Sequence, residues 1–243
     1  RRAVREQAGQ WAKKDRAHLV IGPRQAGKST AIWSYLAGEK RPVLFIDCEQ
    51  ALVQAWCESA PLFLKELESF LGEQPILFFD EVQHLANAGL FIKGLVDRHY
   101  PARIFVTGSS SYHLGAKTRE SLAGRVSRTR ILPFSLDELP DADTGPGEGL
   151  RESLRAERCQ RHIQLGGYPR AWLAEDPRPI LTDLLDAFIL RDASDLHQIA
   201  RPEALRRLLR LVSTQIASLV NLSEWASILG ISRNTVASYL EIL

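Results

Sequence analysis

Residues 22–29 read Gly-Pro-Arg-Gln-Ala-Gly-Lys-Ser, a full match to the phosphate-binding pattern G-x-x-x-x-G-K-[ST], between the apolar run Leu19-Val20-Ile21 and a helical stretch. Such a loop works only where a strand ends and a helix begins, which commits the start of the chain to a strand–loop–helix unit. Its glycines let the backbone wrap a triphosphate with successive N–H groups turned inward. The positive end of the following helix faces the same charge, and Lys28 can reach the β- and γ-phosphates. Gly22, Pro23, Arg24, Gln25, Ala26, Gly27, Lys28, Ser29 and Thr30 are therefore expected to line a nucleotide site, with Ser29 on Mg²⁺.

Short apolar runs recur along the first half of the chain: Ala17 to Ile21, Val43 to Asp47, Ile76 to Asp80, Arg103 to Thr107 and Val126 to Ile131. Amphipathic stretches such as Pro61 to Leu71 and Leu90 to His99 separate them. Short runs rich in Val, Ile, Leu and Phe alternating with helices predict an α/β fold with a parallel sheet covered on both faces. Turn-forming residues 141–150 interrupt the pattern. A first domain over 1–140 is expected there, followed by helices punctuated by Pro169, Pro177, Pro179 and Pro202. At 243 residues and 45% hydrophobic, the chain has room for one or two cored domains and a small appendage. No apolar run approaches the ~18 residues that would cross a bilayer. A cytoplasmic protein without a membrane partner is expected. Cys48, Cys57 and Cys159 have neither disulfide nor zinc spacing, so reduced thiols are expected. A net charge of +2 gives no general attraction to nucleic acid.

Ile76-Leu77-Phe78-Phe79-Asp80-Glu81 is a buried strand ending in two carboxylates. Asp80 can hold the water shell of Mg²⁺, and Glu81 can act as general base on the attacking water. Ile104-Phe105-Val106-Thr107-Gly108-Ser109 ends instead in hydroxyls. If this strand lies between the other two, Thr107 or Ser109 can bond the lytic water or a γ-phosphate oxygen; the bland alternative is an ordinary turn. Arg125, just before the last strand, can serve a neighbouring subunit's γ-phosphate as an arginine finger or can simply close a helix, with Arg119 and Arg128 as competitors.

Four segments together resemble the prokaryotic AAA-type ATPases that carry a helical lid, a winged-helix segment and a C-terminal domain of unknown function. They are Gly22 to Ser29, Phe79-Asp80-Glu81-Val82-Gln83, Thr107-Gly108-Ser109-Ser110-Ser111 with Ser121-Leu122-Ala123-Gly124-Arg125, and Gly166-Gly167-Tyr168-Pro169. The resemblance implies a five-stranded sheet of order 5-1-4-3-2, ATP and Mg²⁺ as ligands, a homo-oligomer, a helical lid over 151–200 and a winged-helix segment over 201–243. It also implies a domain beyond Leu243. Methionine is absent, even at position 1, so the chain reads as a piece of a longer product or as one from which residues have dropped.

Leu222 to Leu240 read as a helix-turn-helix, with small Ala226 at the crossing, Gly230 in the turn and Ser232 capping the second helix. That helix offers Arg233, Asn234, Thr235, Ser238 and Tyr239 to a DNA groove, a small footprint, so a DNA partner and a protein partner both stay open. Arg206, Arg207 and Arg210 read as a solvated face, and His84 and His113 as solvent-facing. The expected activity is ATP hydrolysis coupled to movement of the lid and winged helix. The alternative is a slow nucleotide-dependent switch or a DNA-linked regulator in which turnover is incidental.

Overall fold

Five runs of five or six residues form the strands: β1 (Ala17–Ile21), β2 (Val43–Asp47), β3 (Ile76–Asp80), β4 (Arg103–Gly108) and β5 (Val126–Arg130). All pair in parallel, in the order β2-β3-β4-β1-β5, which is the expected order read from the other edge. In the computed structural model, residues 9, 11, 17–70, 74–108, 122, 124–139, 147–189, 199 and 201–242 are described. Ser109, His113, Arg119 and most of the turn-rich stretch 141–150 lie outside them.

The inner strands β1, β3 and β4 are almost wholly buried because both sheet faces are covered there and successive side chains point to opposite sides, whereas edge strand β5 carries Ser127, Arg128 and Arg130. On one face Leu77, Phe79, Ile104 and Val106 pack with Phe63, Leu64, Phe91 and Ile92. The last four belong to helices α3 (Ala60–Phe70) and α4 (Ala88–Asp97), which follow α1 (Lys28–Leu36) and α2 (Ala51–Trp56). On the other face Val20, Ile76, Phe78 and Phe105 pack with Trp11 and with Ile32 and Leu36 of α1. β5 ends at Arg130, one residue short of the apolar run, yet the Ile131 N–H still donates to Ile21 O at 2.8 Å.

The chain divides into two compact units, Arg1–Pro177 and Arg178–Leu243. The first also holds α5 (Glu148–Leu165) and α6 (Pro169–Leu173). The second holds α7 (Arg178–Ala187), α8 (Pro202–Thr214), α9 (Leu222–Leu229) and α10 (Arg233–Ile242), around Leu205, Leu208, Trp225, Leu229, Val236 and Tyr239. Its α9–α10 pair has the expected turn chemistry. Asn221 Oδ1 accepts from the N–H groups of Ser223 and Glu224 at 3.1 and 3.2 Å, Gly230 ends α9 at φ 66°, and Ser232 Oγ accepts from Thr235 N at 3.1 Å. Two of the three arginines read as a solvated face have partners. Arg206 Nη1 lies 2.7 Å from Asp186 Oδ1, and Arg207 Nη2 donates to Ile228 O at 2.7 Å.

Phe105 is fully buried against Trp11, Tyr35 and His18, with ring centroids 5.1 to 5.8 Å away. Phe105→Ala should cost ~3–5 kcal/mol, the usual result of emptying an aromatic site in a core. Urea unfolding followed by near-UV circular dichroism measures it, and a loss below ~1 kcal/mol would mean that this face does not hold the sheet together.

Candidate nucleotide site

The C-terminal ends of β1, β4 and β3 lie side by side, and each supplies part of one site. β1 runs into the loop 22–27, whose tightness depends on glycine: a Cβ on Gly22 would lie 1.8 Å from Ile131 O. Gly27 takes φ 94° where the loop turns into α1, and Gln25 is also left-handed at φ 59°. The loop is closed by the Ala26 N–H on Pro23 O at 3.2 Å. The first amides of α1, at Lys28, Ser29 and Thr30, have no acceptor within their own helix and so provide an anion-facing terminus. Thr30 itself is exposed.

Lys28 is buried, 3% exposed, and its ammonium donates to Pro23 O at 3.1 Å and lies 3.6 Å from Glu81 Oε1. Burial pushes its pKa below the ordinary lysine value, against the opposing pull of Glu81 and Asp80. Ser29 Oγ donates to Asp80 Oδ1 at 2.7 Å, joining the start of α1 to the end of β3. Thr107 sits on the strand between them, as the hydroxyl reading requires. Its hydroxyl donates to Asp80 Oδ1 and accepts from the Glu81 backbone N–H at 2.9 Å, so it ties the Asp80 carboxylate to the backbone of Glu81. That bond holds Glu81 in a left-handed conformation, φ 56° and ψ 49°, which an L residue adopts only when its surroundings impose it.

An oxygen-only pair such as Ser29 and Asp80 suits a hard divalent cation that keeps waters and shares phosphate oxygens. Among the described residues no three His, Cys, Asp or Glu side chains cluster into a separate metal cage. Behind the site, burial raises the Cys48 thiol far above its ordinary pKa and lifts Cys57 to about 12, so both are inert neutral thiols.

Several residues at the site escaped the sequence reading. Gln83 Nε2 donates to Glu81 Oε2. His84 is exposed, as expected, and also has its Nε2 3.4 Å from Glu49 Oε1, where the short 3₁₀ turn Val82–His84 places it. Arg170 Nη1, in α6, donates to Gln25 Oε1 at 3.2 Å, and Pro169 Cγ is 3.8 Å from where a Cβ on Gly27 would be. Gln83 and His84 stand within four residues of Asp80 in the chain, a nearness that could have marked them; nothing local marks Glu49 or Arg170.

Arg125 lies apart from all of these. It precedes β5, at the far end of the strand from the loop, and its Nε is 2.5 Å from Asp97 Oδ1. The same bond holds the Asp97 carboxyl below its ordinary pKa. In the second unit, Tyr239 belongs to the core and is not available to a groove, because the turn at Gly230 aims it inward. Thr235 shares its hydroxyl with Ser232 at 2.8 Å. Arg233, Asn234 and Ser238 stay exposed.

Residues 14–140, just over half the chain, match a family described as AAA domain. Residues 156–243 match a family described only as a domain of unknown function; the resemblance in sequence placed such a domain beyond Leu243, and one is matched within the chain. The uncharacterized protein MJ1544 of Methanocaldococcus jannaschii is 26% identical over 237 residues, 92% of this chain and 53% of that protein. The uncharacterized protein Rv2008c of Mycobacterium tuberculosis is 28% identical over 229 residues, 93% of this chain and 47% of that protein. The chain thus spans about half the length of the curated relatives it matches. Among solved structures, the Walker-type ATPase PABY2304 of Pyrococcus abyssi superposes with a TM-score of 0.56 at 17% identity, covering 100% of this chain and 87% of that one, a likeness of fold. No described helix is long and apolar enough to cross a membrane.

Thr107→Val keeps shape but strands the Glu81 N–H and removes a donor from Asp80. It should lower stability by ~1–3 kcal/mol, read by urea denaturation; an unchanged midpoint would show that Thr107 does not hold the end of β3.

Proposed function

The chain belongs to the AAA domain family, and from that premise we propose that it binds ATP with Mg²⁺ at the β1–α1 loop and hydrolyses it to ADP and phosphate. The observation that carries the reading is the Ser29–Asp80 bond of 2.7 Å beside the buried Lys28. It joins a phosphate-facing hydroxyl, a cation-holding carboxylate and a phosphate-binding lysine on adjoining elements. Ser29 and Asp80 would hold Mg²⁺, which would supply positive charge against that developing on the phosphates. Lys28 turns from Glu81 to the phosphates, and Glu81, so released, accepts the proton of the attacking water. Thr107 keeps Glu81 and Asp80 in register. Ser109 is proposed, from its place in the sequence, as a second hydroxyl near the water.

The contacts of Pro169 and Arg170 with the loop support coupling of nucleotide state to α6, and through the chain to the helix-turn-helix unit, which we read as a winged helix that meets a DNA or protein partner. One observation favours the alternative of a slow switch: Glu81 is engaged by both Lys28 and Gln83, so the base is restrained before nucleotide arrives. We place the protein in the cytoplasm, where ATP is available and thiols stay reduced.

Lys28→Ala should abolish binding of ATP by isothermal titration. Glu81→Gln should leave binding intact and reduce turnover on the order of 10²-fold or more. Undiminished affinity in the first variant, or parental turnover in the second, removes the corresponding assignment.

For Arg125 we propose a role in trans, in a homo-oligomer. A strand of five residues separates it from the loop end of the sheet by roughly 16 Å, too far to serve its own site. It must exchange Asp97 for a neighbour's phosphate. Mixing Arg125→Ala with Lys28→Ala, each inactive alone, should restore turnover, since one kind of interface then has an intact loop and an intact arginine. Turnover independent of protein concentration together with no rescue refutes the trans role.

A further inference from the structure

The Glu81 carboxylate has, among the described residues, a different partner on each oxygen. Oε1 lies 3.6 Å from the Lys28 ammonium, and Oε2 accepts from Gln83 Nε2. The two ties differ in kind. Lys28 offers a full positive charge, for which an incoming polyphosphate competes directly. Gln83 is neutral, so phosphate has little hold on it.

The turn that carries Gln83 is anchored without any ligand. It begins directly after Glu81, where the His84 N–H donates to Glu81 O at 3.2 Å and the Leu85 N–H to Val82 O at 3.0 Å. Val82 and Leu85, on either side of the amide in the chain, are buried in the core beneath the sheet's end. Gln83 has a further interaction of its own besides the bond to Glu81, which tethers the donor as well. Thr107 meanwhile holds the Glu81 backbone N–H. The backbone of Glu81 and its Oε2 are thus fixed by neutral groups, and only Oε1 faces a group that nucleotide draws away.

Oε1 is consequently the oxygen uncovered when Lys28 turns to the phosphates, and it looks toward the place the ammonium occupied. A carboxylate turns readily about its last bond, because that torsion has broad minima. A hydrogen bond at Oε2 removes this freedom before the reaction and leaves the lone pairs of Oε1 to accept a proton.

Resting on the hydrolytic reading above, we propose that Gln83 is a positioning residue, which holds Glu81 by Oε2 so that Oε1 is the atom that takes the proton of the attacking water. In that step the water oxygen bonds to the γ-phosphorus, and the bond from that phosphorus to the β–γ bridging oxygen breaks with its electron pair left on ADP. One water proton passes to Oε1. The two ties then have opposite senses: Lys28 covers the base until nucleotide arrives, and Gln83 aims it afterwards.

Single-turnover hydrolysis of ATP with Mg²⁺, paired with calorimetric titration of the whole chain, separates chemistry from binding. Gln83→Met keeps the length of the side chain and removes the donor. It should slow the single-turnover rate on the order of 10- to 100-fold, the effect of a misaligned group, and leave the Kd for ATP within about twofold. The same change is then made in Glu81→Gln. A residue that acts through the Glu81 carboxylate loses its effect once that carboxylate is gone, so the double variant should match Glu81→Gln within about twofold. A merely structural role gives the same fractional loss in both backgrounds. An unchanged or faster rate in Gln83→Met, or equal losses in the two backgrounds, overturns the proposal. If Gln83→Met melts below the assay temperature, Gln83→Asn, whose amide stops one carbon short, is held to the same criteria. A parent that hydrolyses ATP, slows in Glu81→Gln and keeps its rate in Gln83→Met sinks this inference alone. A parent that does not hydrolyse ATP sinks the hydrolytic reading with it.

Discussion

Lys28 holds a charge where water hardly reaches, and the ends of three strands are arranged around that charge. An unpaired buried ammonium would lose its proton or destabilise the fold by several kcal/mol. Here it is answered by the carboxylates of Asp80 and Glu81 and by Pro23 O. Those groups can meet only if β1 and β3 stand one strand apart, with a short polar side chain on the strand between. Thr107 supplies it, fully buried and bonded to both neighbours on its β3 side. The sheet order and the local chemistry are thus one requirement seen at two scales.

The inner strands were legible almost to the residue because parallel strands buried on both faces are mostly apolar, and such runs stand out against amphipathic helices; the edge strand β5, Val-Ser-Arg-Thr-Arg, shows the pattern least. Phe78 and Phe79, adjacent in the chain, serve opposite cores, so neither could be spared. The order of the strands was a different matter. Nothing in an apolar run says which neighbour it takes; the order came with the resemblance to AAA-type ATPases, and the hydrogen-bonded pairs agree with it.

Within the site, groups set by the local pattern were readable, and groups that arrive from elsewhere were not. Ser29 and Asp80 each end an element whose sequence announces its end. Glu49 and Arg170 carry no such mark, and their importance depends on where a turn and a helix bring them. The same limit explains Tyr239 and Arg125. An aromatic on a helix is core or surface according to what packs opposite, and the carboxylate that meets Arg125 comes from the end of α4, 28 residues earlier.

The place of β1 has a consequence in time. Its partners on either side, around Phe105 and Val126, are both made after it. At ~5–20 residues per second, β1 waits about 5–20 s on the ribosome until both of its partner strands have been made. Meanwhile β2, β3 and β4 can already pair in sequence, each with the strand made just before it. The phosphate-binding loop, although encoded early, can therefore close only after β1 has paired with the later-made β4 and offered its other edge to β5. Until then β1 is a five-residue apolar segment exposed to whatever else is nascent, which makes biogenesis, and not the finished fold, the stage at which this architecture is most open to a chaperone.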